Sequence, residues 1–244
     1  PTMMPVTGSI MKIVSYNDCG YQWTCDNVTP QLNYNRFRGS IEIKYTVEDD
    51  PYSDYSGNML WAVNVIPLEY YLRGIAEAGS SDVPEYLKAL GIAARTYALR
   101  LKFDGTKHDE IGVDLLNSRK GNGNDQQYFG YLFEERNKSL VDYYTATSGE
   151  IIIYNNYPII AAYSSGTDGR TRSAKEGKLS SNDIAYLQSV SDPYGIISNW
   201  ATLDGNHMVG LSANGARGYA KNEAKDYKWI LEHYYTGVTI EKRY

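Results

Sequence analysis

The chain has 244 residues, 42% hydrophobic and 22% charged, which suits one large domain or one domain with an appendage and reads as soluble and globular rather than disordered. Its net charge of −5 and pI near 5.3, with the 24 basic residues scattered, leave no phosphate-binding stripe and argue against nucleic acid as a partner. No run approaches the roughly 18 consecutive apolar residues of a membrane helix, so no transmembrane segment is predicted.

Residues 1–35 are polar and rich in Tyr and Asn, with short β-like pieces expected over Ile10–Ser15 and Tyr21–Cys25. Cys19 and Cys25 are the 2 cysteines of the chain. Without further Cys or a nearby His they make a poor zinc site. They suit a small disulfide-closed loop, which implies an oxidising, extracytoplasmic location, with two independent free thiols as the alternative. The opening PTMMPVTG has no initiator Met and no signal-peptide pattern, so any export or anchor sequence is expected upstream.

Alternation in FRGSIEIKYT predicts a half-buried strand over Phe37–Thr46, Asp49–Gly57 is a turn cluster, and LWAVNVI predicts a buried strand over Leu60–Ile66. Pro67 opens a short helix through about Ile75. The clearest helix follows, with Ser81 or Asp82 as its cap, Pro84 in its first turn and Glu85 at the positive end of its dipole. Leu87, Leu90, Ala94, Tyr97 and Leu101 mark one buried face, and the helix is expected to run to about Lys102. Lys107–Asn124 reads as a surface loop and Glu134–Ala146 as a helical or mixed piece.

Glu150–Tyr154 and Pro158–Ser164 predict a hairpin around Asn155–Asn156, followed by a loop over Gly166–Asn182. Two helices close the chain, roughly Ser212–Asn222 and Asp226–Tyr235. Strand and helix runs interleave irregularly, which predicts an α+β fold without internal repeats.

The chain has no G-x-S-x-G, no Walker loop, no G-x-G-x-x-G and no H-E-x-x-H, and its 3 histidines nearly exclude a His-rich metal site. Its 24 tyrosines against 4 Phe have two readings: aromatic faces with polar tips for sugar rings, or Tyr in place of Phe in the sheets. Among the carboxylates Glu77, in LRGIAEAGSSDVP, lies at a junction backed by apolar residues, where a raised pKa and a general-acid role are one reading and a solvated surface Glu the other. Glu69, Asp82 and Glu85 are its neighbours in sequence. His207 is flanked by Gly210, Gly215 and Gly218, which suits either a structural hydrogen-bonder or an accessible ring.

Taken in order, several blocks resemble the SpoIID/LytB family: FRG at 37–39, VNVIPLEYYLRG at 63–74, EYLKALGIAARTY at 85–97, DQQYFG at 125–130, TSGEIIIY at 147–154, YSSGTDGRTRS at 163–173, HMVGLSANGARGYA at 207–220 and ILEHYYTG at 230–237. The resemblance covers about residues 36–241 and divides the chain into an N-terminal β extension, 1–35, and a SpoIID-like domain, 36–244. It implies lytic transglycosylase activity on peptidoglycan, in the sporulation member on glycan stripped of stem peptides; other members are amidase enhancers. One carboxyl group then protonates the oxygen between MurNAc and GlcNAc and, as carboxylate, takes the proton of the C6 hydroxyl, closing a 1,6-anhydro ring. Because no water attacks, the second carboxylate of ordinary glycoside hydrolases is unnecessary.

By this resemblance Glu77 is the acid, and Tyr163, Ser164, Arg170, Thr171, His207, Gln126 and Tyr128 line the groove. The implied partners are peptidoglycan glycan strands and a cell-wall amidase, in an extracytoplasmic or envelope-anchored setting and with no cofactor. Departures from the pattern are informative. Sporulation-type members carry G-V-V-x-x-E-M-P, whereas Glu77 follows Gly74 by three, so Asp82 in D-V-P is the rival acid. Tyr163 stands in the loop that holds a Cys/His zinc site in some members, so no metal is expected. Met208 and Ala213 replace a Gly and a Gln of the family's H-G-V-G-M-S-Q, and the family's W-G-G is absent around Glu176–Gly177.

Overall fold

The computed structural model describes residues 2–3, 9–14, 33–46, 59–105, 107–109, 111–117, 125–199 and 205–244. The expected strand Tyr21–Cys25, the Cys19–Cys25 pairing and the turn cluster Asp49–Gly57 lie outside these residues. The chain divides into two compact units, Pro1–Ser80 with Leu101–Val141, and Ser81–Arg100 with Asp142–Tyr244. Helices and mainly antiparallel strands alternate irregularly along both, an α+β fold as expected.

In the first unit, β1 (Thr2–Met3), β4 (Ser40–Thr46) and β5 (Met59–Val65) form an antiparallel sheet in the order β1-β4-β5. β4 and β5 pair without interruption from Ser40↔Val65 to Thr46↔Met59. A separate ribbon joins β2 (Met11–Lys12) to β3 (Arg36–Phe37). The single strand expected over Phe37–Thr46 therefore breaks at Arg38–Gly39. Gly39 takes a φ of +75°, where a side chain would collide with the Val65 carbonyl.

Helix α1 (Leu68–Arg73) follows Pro67 as predicted. The piece expected over Glu134–Ala146 is two helices, α3 (Tyr131–Arg136) and α4 (Lys138–Ala146). Asn137 separates them: its φ of −120° is non-helical, and its side-chain amide donates to the Phe133 carbonyl at 3.0 Å. Glu134 on α3 accepts a two-pronged bond from Arg38 at 2.7 and 3.0 Å and lies 3.4 Å from Arg73, tying α3 to the β3–β4 bend and to α1.

The second unit holds most of α2 (Pro84–Asp104), whose last residues from Leu101 belong to the first. Periodicity predicts a single buried stripe, yet burial is nearly continuous from Tyr86 to Thr96, while Tyr97 and Leu101 are half-buried. Ala89, Gly91, Ala93, Ala94 and Ala98 are small enough for neighbours to approach from several sides, so the helix is core all round. The expected cap is also displaced. Asp82 accepts the Val83 N–H at 2.9 Å, and Arg217 engages both carboxylate oxygens at 2.7 and 2.6 Å.

β6 (Glu150–Tyr154) is the middle strand of a sheet ordered β10-β6-β7, with β7 at Tyr157–Pro158 and β10 at Thr239–Lys242. Asn155 and Asn156 turn the β6–β7 hairpin with φ of +48° and +63°, the paired positive angles of a type I′ turn. The strand expected over Pro158–Ser164 ends at Pro158: the Ile159 N–H still donates to the Ile152 carbonyl at 3.2 Å, but the Ile152 N–H goes to the Thr96 hydroxyl instead of returning the bond. Tyr163–Ser164 (β8) pairs instead, in parallel, with Leu211–Ser212 (β9). Ser212 then caps α5 (Ala213–Glu223) by accepting the Gly215 N–H, and Asp226 caps α6 (Tyr227–Tyr234) by accepting that of Trp229.

Arg95, fully buried on α2, donates to the carbonyls of Tyr144 at 3.0 Å, Glu150 at 3.2 Å and Gly91 at 3.5 Å. Its neighbour Thr96 donates to the Ile92 carbonyl at 2.7 Å and accepts the Ile152 N–H at 3.0 Å. Replacing Arg95 with Met leaves those carbonyls buried without a donor. Arg95→Met is expected to lower unfolding free energy by about 3 kcal/mol in urea denaturation followed by circular dichroism.

Candidate functional site

Glu77 follows directly from the end of α1. Past its C-cap, Gly74, the chain runs antiparallel beside residues 126–129: the Ala76 N–H donates to the Gln127 carbonyl and the Phe129 N–H to that of Gly74, both at 2.8 Å. This brings the half-buried Glu77 beside Gln127, whose N–H donates to Oε1 at 2.7 Å. The carbonyl oxygen of a neutral carboxyl is its better acceptor, so this bond favours Oε1 as the unprotonated oxygen.

Gln126 and Tyr128 are brought to the same place. Gln126 is buried and accepts from the Tyr71 hydroxyl at 3.0 Å. The Tyr128 ring stacks on Tyr71 at 5.1 Å, its hydroxyl donates to Asn64 Oδ1 at 3.1 Å, and burial pushes its pKa well above the ordinary tyrosine value.

The remaining sequence-predicted residues lie in the second unit. Asp82 has both oxygens held by Arg217, whose guanidinium lies 4.4 Å over the Tyr86 ring, so the rival acid is committed to an internal ion pair. Tyr163 and Ser164 are half-buried on β8. Thr171 is buried, accepting the Val190 N–H at 2.9 Å. Arg170 is exposed and bound in a fork to Glu176 at 3.1 and 3.0 Å, which holds the Glu176 carboxyl at about 2.

His207 uses its ring on the backbone. Nδ1 accepts the Val209 N–H at 2.9 Å, and the ring donates to the Tyr163 backbone. Desolvation holds its pKa below the ordinary 6.5, so near neutrality the ring is an uncharged pin between the 207–209 turn and β8. Met208, in that turn, has a φ of +53°. The family's Gly at this position is thus explained by backbone conformation.

Asp192, a further residue here, is not evident from its local sequence, SDPYG. It is fully buried, accepts from the Thr167 hydroxyl at 2.9 Å and from that of Tyr234 at 2.8 Å, and fastens the 165–172 loop to α6. Among the described residues no group of three His, Cys, Asp or Glu side chains is placed to hold a metal ion, and no helix is long and apolar enough to cross a membrane.

Residues 56–154, which include Glu77 and the run that orients it, match the family model of SpoIID, stage II sporulation protein. Over these residues the chain is similar to SpoIID proteins. It is similar to stage II sporulation protein D of Bacillus subtilis, 32% identical over 141 residues, and to that of Bacillus amyloliquefaciens, 30% identical over 141 residues. Each match covers 54% of this chain and 40% of the relative's length, so the chain spans well under half of the curated relatives it matches. The SpoIID match ends at Tyr154, before Tyr163, Arg170 and His207.

Two outcomes are expected. The folded chain binds the His207 proton less readily than the unfolded chain, so stability rises with pH up to about 6.5 and falls on acidification below it. His207→Gln, which keeps an acceptor for Val209 and a donor for Tyr163, is expected to flatten that acid limb when urea midpoints are compared between about pH 5 and 7. Met208→Gly relieves the left-handed conformation and is expected to stabilise by about 1 kcal/mol, raising the thermal midpoint by about 2–4 °C.

Proposed function

We propose that this chain acts on the glycan of the bacterial cell wall as a lytic transglycosylase, with Glu77 as acid and then base. The observation that carries this reading is the orientation of Glu77 by the Gln127 N–H within the SpoIID segment. The neutral carboxyl gives its Oε2 proton to the oxygen joining MurNAc to GlcNAc as the C1–O bond breaks and GlcNAc leaves as an alcohol. The carboxylate then takes the proton of the C6 hydroxyl, whose oxygen closes on C1 to give the 1,6-anhydro ring, and Glu77 is again neutral. One carboxyl completes the cycle, which is consistent with Asp82 being occupied by Arg217.

Tyr163 and Arg170 are proposed as sugar contacts of the second unit, with Thr171 and His207 supporting the backbone that carries them and Ser164 beside them. Residues 36–244 are proposed as one SpoIID-like domain behind the 1–35 extension. The names of its relatives support a place in sporulation, and with it we propose an extracytoplasmic setting with a cell-wall amidase as partner.

Incubation with purified sacculi, intact and peptide-stripped, is expected to release 1,6-anhydro muropeptides or glycan ends detectable by mass spectrometry. Glu77→Gln is expected to lower that release by about 100-fold or more while leaving co-sedimentation with sacculi unchanged. A wild-type protein that binds both substrates and releases nothing from either is a binding module or amidase activator, and the enzyme reading then fails.

A further inference from the structure

The first unit contains a buried charged cluster that the reaction above does not use. The side chains of His108 and Asp125 are both fully enclosed, with His108 Nε2 2.7 Å from Asp125 Oδ2. The Leu116 N–H donates to that same oxygen at 2.8 Å, and Lys107 pairs with Oδ1. Asp125 is thereby fixed at the head of the run 125–129, directly before Gln126. Its backbone N–H also donates to the Leu116 carbonyl at 3.1 Å, so main chain and side chain are anchored together.

Asn117 anchors the same run further along. Its Oδ1 accepts the Tyr128 N–H at 3.0 Å, and its Nδ2 donates to the Tyr128 carbonyl at 2.8 Å. The side-chain amide thus stands in for one residue of a neighbouring strand, satisfying both backbone groups of Tyr128. In an extended run the N–H and C=O groups of successive residues point to opposite edges. Those of Tyr128 face Asn117, so those of Gln127 face the other way. There the Gln127 carbonyl accepts from Ala76 and its N–H donates to Glu77 Oε1. Gly74 lines that edge, and a side chain there would collide with the Tyr128 ring.

We infer that Asn117 and Asp125 are positioning residues for Glu77: from the far edge of the run 125–129 they set where the Gln127 N–H meets the carboxyl. Neither touches the acid, and both act through the backbone of residues 126–128. The inference rests on Glu77 being the acid of the proposed reaction. It assigns a role to the DQQY block that fits the full burial of the Gln126 side chain, which suits it to scaffold rather than to sugar contact.

The test measures release of 1,6-anhydro ends from peptide-stripped sacculi by four proteins: wild type, Asn117→Ala, Glu77→Gln and the double variant. Asn117→Ala is expected to lower kcat by roughly tenfold or more, with KM within about twofold, since one misplaced donor near a reacting group acts on the transition state. In the Glu77→Gln background the same substitution is expected to change nothing further, because its effect passes through that carboxyl. Asp125→Asn, which keeps an acceptor for Leu116 but weakens the pairing with Lys107 and His108, is expected to follow the same pattern to a smaller degree. It also carries the test should Asn117→Ala fail to fold. A loss that appears in KM, or one that multiplies the Glu77→Gln defect, overturns the inference while leaving Glu77 as the acid. Full activity in Glu77→Gln overturns the assignment of the acid itself.

Discussion

A guanidinium enclosed away from water must find acceptors for its donors, and Arg95 finds them in the main chain of three elements. It reaches back to Gly91 on its own helix, to Tyr144 near the end of α4, and to Glu150 at the start of β6. Thr96, one residue on, accepts from Ile152 in the same strand. β6 is in turn the middle strand between β10 and β7, so its placement decides that of both neighbours. A hydrophobic residue at 95 could fill the volume, but it could not choose the register of β6 against α2. Burying the charge buys that register, since any sliding of the strand would leave donors and carbonyls unmatched.

The same device recurs with the opposite sign. Asp192 is buried under the hydroxyls of Thr167 and Tyr234, and the Cα faces of Gly195 and Gly215 close on it so tightly that a Cβ at either would collide with the carboxylate. Gly215 belongs to the first turn of α5, where exposed N–H groups favour negative charge nearby. Burial and Asp192 together push the Tyr234 pKa far above its ordinary value, so its hydroxyl remains a donor at any physiological pH. In this unit the irregular segments are thus ordered by buried polar groups, where loops rich in Gly, Ser and Asn offer little apolar surface for packing.

These devices explain which parts of the fold were legible in the sequence. The Ser212 and Asp226 caps, the Asn155–Asn156 turn and the body of α2 follow from rules acting over a few residues, and each is where the pattern puts it. β10 escaped notice because TIEK carries little strand signal; it is a strand because β6 offers it an edge. The Pro158–Ser164 run looked continuous because its apolar pattern is continuous, while the pairing that splits it, β8 with β9, joins residues nearly fifty apart in sequence. Asp82 kept its place as rival acid for a similar reason: Arg217 lies 135 positions away.

The candidate site raises a sharper version of this problem. A motif match says that a residue type belongs at a position, but it does not distinguish a side chain that meets the ligand from one that holds the backbone. His207 in its small-residue setting suits a structural hydrogen-bonder as well as an accessible ring, and both ring nitrogens are turned to main-chain groups. Thr171 and Gln126 are likewise buried and bonded inward. What separates Glu77 from them is the combination of partial exposure with a well-defined N–H on one oxygen. For a mechanism that uses one carboxyl in two protonation states, that asymmetry is the property to look for. The bond to Oε1 helps to set the plane of the group, so the scaffold that holds the Gln127 amide bears directly on the carboxyl.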